Sequence, residues 1–225
     1  MKRHTHKEIK QVGAFILDKS GSMENLRDAA ISGFNEFLSQ MKQNKVEVLF
    51  NLSLFDTKSI DRPYSMTPLS EVKELNRETY KPNAWTPLYD AVVEELERLE
   101  KQVEEIKDDS AISVVIMTDG HENASKNHNQ KCLRDLIQRL EKKGNWTFAY
   151  MGANQDSYTV ASGIGISRGS TMDWNATPQG TLGAFASLAQ NSVANINQMR
   201  AMHDAGAPTA SLHNQNFFSN GGDKK

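Results

Sequence analysis

Hydrophobic positions along the chain follow two rhythms, short continuous or every-second-residue runs and longer stripes at helical spacing. Val12 to Leu17 is continuously apolar or small, as in a strand buried on both faces of a parallel sheet. From Glu24 the spacing turns helical, with Leu26, Ala30, Phe34, Phe37 and Met41 on one stripe. Lys45 to Phe55 alternates, with Val46, Val48, Phe50, Leu52 and Leu54 sharing a face, and predicts a strand that ends at Asp56. Lys58 to Met66 predicts a short edge strand, because an edge tolerates Pro63. Thr67 to Trp85 has no strong period and reads as a loop with one helical turn near Glu71 to Leu75.

Pro87 stands where a first helical position would, with Thr86 as its N-cap. Leu88, Val92, Leu96, Leu99, Val103 and Ile106 continue that helix on one stripe. Ala111 to Met117 is a buried strand that empties into Thr118-Asp119-Gly120. Leu133, Leu136, Ile137 and Leu140 mark a helix that stops at Gly144, a residue suited to a left-handed C-terminal turn. Trp146 to Met151 predicts a further strand, Asp156 to Ser162 a helix, and Gly169 to Met172 a short strand. Thr177-Pro178 opens the last helix, with Leu182, Phe185, Ala189, Val193 and Ile196 facing inward.

Strands alternating with helices imply right-handed crossovers and a parallel sheet covered on both sides, an α/β architecture. One domain over residues 11–205 accounts for the pattern. A short flexible N-terminus (1–10) precedes it. A tail (206–225) rich in Gly, Ser, Asn, Ala and Lys follows, and its composition predicts mobility.

Charge and composition narrow the function classes. The 225 residues carry 26 basic and 28 acidic side chains, a net charge of −2. That balance argues against nonspecific nucleic-acid binding, which needs a concentrated basic face. Cys132 is the single cysteine, so no internal disulfide forms and a reducing cytoplasm fits best. No stretch approaches the roughly 18 apolar residues of a membrane span, and no membrane role is expected.

Three segments end at the carboxyl edge of the predicted sheet, where ligands of open α/β sheets bind. They are Asp18-x-Ser20-x-Ser22, Thr86, and Asp119. Their hydroxyls and carboxylates are hard oxygen donors, suited to Mg²⁺, Mn²⁺ or Ca²⁺ rather than zinc or copper. Taken singly, each has a plainer explanation. Ser22 and Thr86 are good helix caps, and Asp119-Gly120 suits an ordinary turn. Glu24, Asp56, Asp90, Glu122 and Asn123 lie close by in sequence, as orienting partners or as solvated groups. His121 adjoins Asp119 without the spacing of a zinc site. Trp85 and Tyr89 either anchor a partner or pack half-buried.

Asp18-Lys19-Ser20-Gly21-Ser22, Thr86 in Thr-Pro-Leu-Tyr-Asp-Ala, and Thr118-Asp119-Gly120 together resemble the von Willebrand factor type A (vWA) domain and its metal-ion-dependent adhesion site (MIDAS). The resemblance covers roughly Lys10 to Met199. It implies a Rossmann-like, mostly parallel six-stranded sheet in the order 3-2-1-4-5-6, with strand 3 the antiparallel edge. It also implies that hydroxyls equivalent to Ser20, Ser22 and Thr86 bind Mg²⁺ or a similar ion. Asp18 and Asp119 would hold that ion directly or through water, and a partner protein would complete the shell with an Asp or Glu carboxylate. Such domains bind and do not turn over substrate. Small bacterial relatives resemble accessory factors of AAA+ ATPases, which makes an AAA+ ATPase or an assembly factor the implied partner and a bacterial or phage origin the implied source. One departure is Asn83-Ala84-Trp85, where many members carry glycines. A stiffer loop with Trp85 as a lip is the expected consequence.

Two other functions compete with that reading. A Mg²⁺-dependent phosphate-ester hydrolase of the haloacid-dehalogenase kind would want a second acid where Ser20 stands, and no phosphate-binding Gly-x-x-x-x-Gly-Lys-Ser/Thr loop occurs. A phage or bacterial structural protein would keep the fold for assembly without metal.

Overall fold

A computed structural model describes residues 9–153 and 156–218. Among them, six strands form one sheet: β1 (Lys10–Asp18), β2 (Leu49–Phe55), β3 (Ile60–Pro68), β4 (Ser110–Thr118), β5 (Trp146–Ala153) and β6 (Thr171–Trp174). Their order is β3-β2-β1-β4-β5-β6, and every neighbouring pair is parallel except β2 with β3. The sheet order and the antiparallel edge match the expectation from sequence. Helices α1 (Arg27–Gln43), α2 (Leu88–Glu104), α3 (Gln130–Glu141), α4 (Ser157–Gly163) and α5 (Pro178–Asp204) cover its two faces. No helix of the described residues is long and apolar enough to cross a membrane.

Strand β1 is central because its alternating side chains feed two cores. Phe15 and Leu17 join Phe34 and Phe37 of α1 and Phe185 of α5 on one face. Val12, Ala14 and Ile16 join Val92 and Leu96 of α2 and Leu133 and Ile137 of α3 on the other. A strand buried twice must be apolar throughout, which is why its sequence shows a continuous run rather than alternation. Each large side chain so buried contributes about 1.5–3 kcal/mol. Gly33 lets α1 approach α5, since a methyl there would stand 2.4 Å from Phe185 Cδ2.

Local details differ from the sequence expectation. A 3₁₀ turn over Gly21–Leu26 precedes α1, so the α-helix proper starts at Arg27 rather than Glu24. Val46 and Val48 are buried but lie before the first residue of β2. The turn expected near Glu71 to Leu75 falls at Leu69–Glu71, and β6 starts at Thr171. Leu182 is exposed, not inward-facing, because Thr181, Ala184, Phe185 and Leu188 take the buried stripe of α5 and Leu182 sits about 100° round from Thr181.

The chain ends need the larger corrections. Lys10 is the first residue of β1 and Ile9 is buried, so the flexible N-terminus does not reach residue 10; positions 1–8 lie outside the described residues. Residues 206–218 pack against the domain instead of forming a mobile tail. Leu212 and Phe217 are buried, Phe217 N–H donates to Ser170 Oγ at 3.1 Å, and Asn214 N–H donates to Thr147 Oγ1 at 2.9 Å. The polar composition hid two apolar anchors spaced five residues apart. Gly144, at φ +79°, clears their path, since a Cβ there would fall 1.7 Å from Ala210 O. The remainder of the expected tail, 219–225, lies outside the described residues.

Candidate metal centre

Strands β1 and β4 are parallel neighbours, so their carboxyl ends deliver Asp18 and Asp119 to one edge of the sheet. Asp18 is completely buried. Its Oδ1 accepts the Ser20 backbone N–H and its Oδ2 accepts the Thr118 hydroxyl, each at 2.6 Å. Burial pushes the Asp18 carboxyl up to about 6; the hydrogen bonds from Thr118 and Ser20 oppose that rise and the charge of Asp119 adds to it. Burial also raises Asp119, against the hydrogen bond from Ser22. A bound cation would restore the charged form of both acids.

The hydroxyls close the ring. Ser22 Oγ donates to Asp119 Oδ1 at 2.5 Å and stands 3.0 Å from Ser20 Oγ. Thr86 arrives from the loop before α2. A methyl placed on Gly120 would stand 2.9 Å from Thr86 Oγ1, 3.4 Å from Ser22 Oγ and 3.7 Å from Asp18 Oδ2. Oxygens from three separate loops therefore surround one small space that only a glycine at 120 leaves open.

The residues fit a hard divalent ion. Octahedral ligands of Mg²⁺ lie about 3 Å apart, the spacing of the two serine hydroxyls. Among the described residues no group of three or more His, Cys, Asp or Glu is placed to hold a metal, so a site here depends on its hydroxyls.

Neither hydroxyl is occupied by helix capping. Ser20, not Ser22, holds the cap position of the 3₁₀ turn, and it makes no side-chain cap bond. Thr86 is not the N-cap of α2, contrary to expectation. Pro87 takes that position with ψ 62°, and the helix begins one residue later, at Leu88. The Thr86 backbone is held instead by Asn123, whose Oδ1 accepts the Thr86 N–H at 3.0 Å and whose own N–H donates to Thr86 O at 3.2 Å.

Several supporting groups escaped the sequence reading. Tyr80, buried within an aperiodic loop, donates its hydroxyl to Asp18 O at 2.6 Å and pins the end of β1. Nothing in its sequence context signals this. Lys19 is buried and reaches Asp56 Oδ2 at 3.2 Å, Asp61 Oδ2 at 3.0 Å and Ser59 Oγ at 2.9 Å, tying the loop that carries Ser20 and Ser22 to the β2–β3 turn and the start of β3. Thr118 could have been suspected from its place between a buried strand and an acid. Glu122 and Asp90 are loop anchors rather than solvated acids. Glu122 accepts the N–H groups of Tyr89, Ala124 and Ser125, and Asp90 accepts those of Lys126, Asn127 and His128. Glu24 is exposed and pairs with Arg27, and His121 is exposed.

The loop Asn83-Ala84-Trp85 walls the site on its outer side. Ser20, Gly21, Ser22, Ala84, Trp85, Thr86 and Asn123 line an open cavity of ≈ 450 Å³. Ala84 sits at φ +61°, a left-handed conformation that suits glycine better, and holds it under strain. Trp85 is 67% exposed, whereas Tyr89 is half-buried against the second core.

Solved structures share this architecture. The chain is similar to proximal thread matrix protein 1 (PTMP1) from the mussel byssus with a zinc-occupied MIDAS motif, at TM-score 0.58 and 12% identity over 82% of this chain and 46% of that one. It is also similar to the SpRpn10 VWA domain, at TM-score 0.53 and 12% identity over 80% of this chain and 95% of that one. The chain carries a von Willebrand factor type A fold. A third match is the pilus adhesin SpaC from Lactobacillus rhamnosus GG in its open conformation, at TM-score 0.55 and 13% identity over 85% of this chain and 31% of that one. The chain thus spans under half the length of PTMP1 and about a third of SpaC. No protein-family model matches the sequence, and no curated protein matches it.

Proposed function

We propose that this vWA chain is a divalent-metal-dependent protein-interaction module and not an enzyme. Ser20, Ser22 and Thr86 would hold a Mg²⁺-type ion together with Asp18 and Asp119. The bound ion would supply a positive charge with one open position that an Asp or Glu carboxylate of a partner protein fills. The chain's own residues do the rest. Tyr80 and Lys19 fix the loop that carries the serines, Asn123 fixes Thr86, and Thr118 orients Asp18. The observation that carries this reading is the convergence of Thr86, Ser22 and Asp18 oxygens on the space above Gly120. An AAA+ ATPase or an assembly factor of a bacterial or phage cytoplasm is the partner class this reading brings forward.

Titration of the full chain with MnCl₂, followed by electron paramagnetic resonance, tests the metal. One ion bound per chain is expected, with binding lost in Thr86→Ala and Ser20→Ala while circular dichroism stays unchanged. Absence of uptake, or uptake indifferent to both substitutions, overturns the reading.

A further inference from the structure

The Trp85 side chain is the unusual feature of the cavity rim. The chain has three tryptophans, and Trp146 and Trp174 are buried at 1% and 6% exposure while Trp85 stands at 67%. Its exposure does not come from a loose backbone. Asn83 N–H donates to Lys19 O at 2.7 Å, Gly21 N–H to Ala84 O at 3.0 Å, and Thr57 N–H to Trp85 O at 3.1 Å. Trp85 N–H itself donates to Thr57 Oγ1 at 3.2 Å. Hydrogen bonds from two neighbouring loops therefore clamp the segment, and they hold Ala84 in its strained left-handed conformation. A rigid backbone presenting an indole to water is a pre-organised anchor, because little ordering entropy remains to be lost on contact. Trp85 lines the same cavity as Ser20, Ser22 and Thr86, so a chain that brings a carboxylate to the ion comes within reach of the exposed indole.

We propose that Trp85 is the specificity-determining contact of this site, selecting partner segments whose Asp or Glu is flanked by an apolar side chain. The polar wall of the cavity receives the acid, and the indole face covers the neighbouring side chain and excludes water from the carboxylate. This inference rests on the carboxylate reading of the metal centre.

The test uses the full chain loaded with Mn²⁺ and two blocked pentapeptides, Gly-Leu-Asp-Leu-Gly and Gly-Gly-Asp-Gly-Gly. Binding is read from protection of the exposed indole against iodide quenching and, for variants that lack it, by calorimetry. The wild type is expected to prefer the leucine peptide by about 10-fold, the equivalent of partly burying one leucine. Trp85→Ala should erase that preference and leave Mn²⁺ affinity unchanged, while Trp85→Phe should keep most of it. Equal binding of both peptides by the wild type, or an undiminished preference in Trp85→Ala, overturns the assignment of Trp85 alone. If the Mn²⁺-loaded wild type binds neither peptide, the carboxylate reading fails and the assignment falls with it.

Discussion

Substituting Gly120 with alanine separates the fold from the metal site. The new methyl would meet Thr86 Oγ1 at 2.9 Å, Ser22 Oγ at 3.4 Å and Asp18 Oδ2 at 3.7 Å. Only the Thr86 contact is tighter than ordinary packing, and a shift of a few tenths of an ångström by one hydroxyl relieves it. The strain, on the order of 1 kcal/mol, is offset in part by the 0.4–1 kcal/mol or so that Gly→Ala recovers from the unfolded chain. The metal-free protein should therefore melt within a degree or two of wild type. The metal-bound state is another matter, because the methyl intrudes on the space that the ion and its waters need. At a free Mg²⁺ concentration 100 times the wild-type dissociation constant, binding stabilises the wild type by about 2.7 kcal/mol. For a chain of this size that is a rise in melting temperature of roughly 5–11 °C. If the methyl weakens binding about 100-fold, the same magnesium gives roughly 0.4 kcal/mol, a rise of about 1 °C. Thermal denaturation followed by circular dichroism, with MgCl₂ or with EDTA, measures all four values. A Gly120→Ala variant with the full magnesium response would show that the ion does not sit above Gly120 and would refute the proposed ligand set.

Asp18→Asn should raise the stability of the metal-free protein while abolishing its response to Mg²⁺. Burial lifts the folded-state carboxyl to about 6 from 3.8, so the folded chain favours the protonated acid. That contribution is complete below about pH 4 and lost as pH rises through 6, a difference of about 3 kcal/mol at pH 7. Urea denaturation in EDTA at pH 7 checks this, and a destabilised variant would refute it. Phe217→Ala should cost about 3–5 kcal/mol, because the ring is buried and meets Phe218 edge-on at 5.0 Å. A neutral result in the same denaturation experiment would mean that residues 206–218 do not dock as described.

Much of the architecture could be read from local pattern. The apolar runs of β1, β4 and β5 and the stripes of α1, α2 and α3 each report which faces are buried, because burial acts on residues near in sequence. The alternation of β2 marks a strand but misses that Asn51 and Ser53 on its polar face are buried too. The proline in β3 marked an edge for a different local reason, because it has no N–H to donate to a second neighbouring strand. The five oxygen-bearing residues were legible as a set once their order was seen, yet periodicity alone could not separate Ser22 and Thr86 from helix caps. Tertiary structure made that distinction, since the ψ of Pro87 starts α2 a residue late and Ser20 takes the cap position of the turn.

Sequence by itself determined the two-faced sheet, the burial of its strands and the chemistry available at its carboxyl edge. Only the folded chain decided that Tyr80 and Lys19 brace the loop carrying Ser20 and Ser22, that Phe217 docks, and that Trp85 stands in water. Those contacts join residues as far as 62 positions apart, and no local period encodes them. Their partners are chosen by which surfaces the packed sheet and helices bring within a few ångströms of one another.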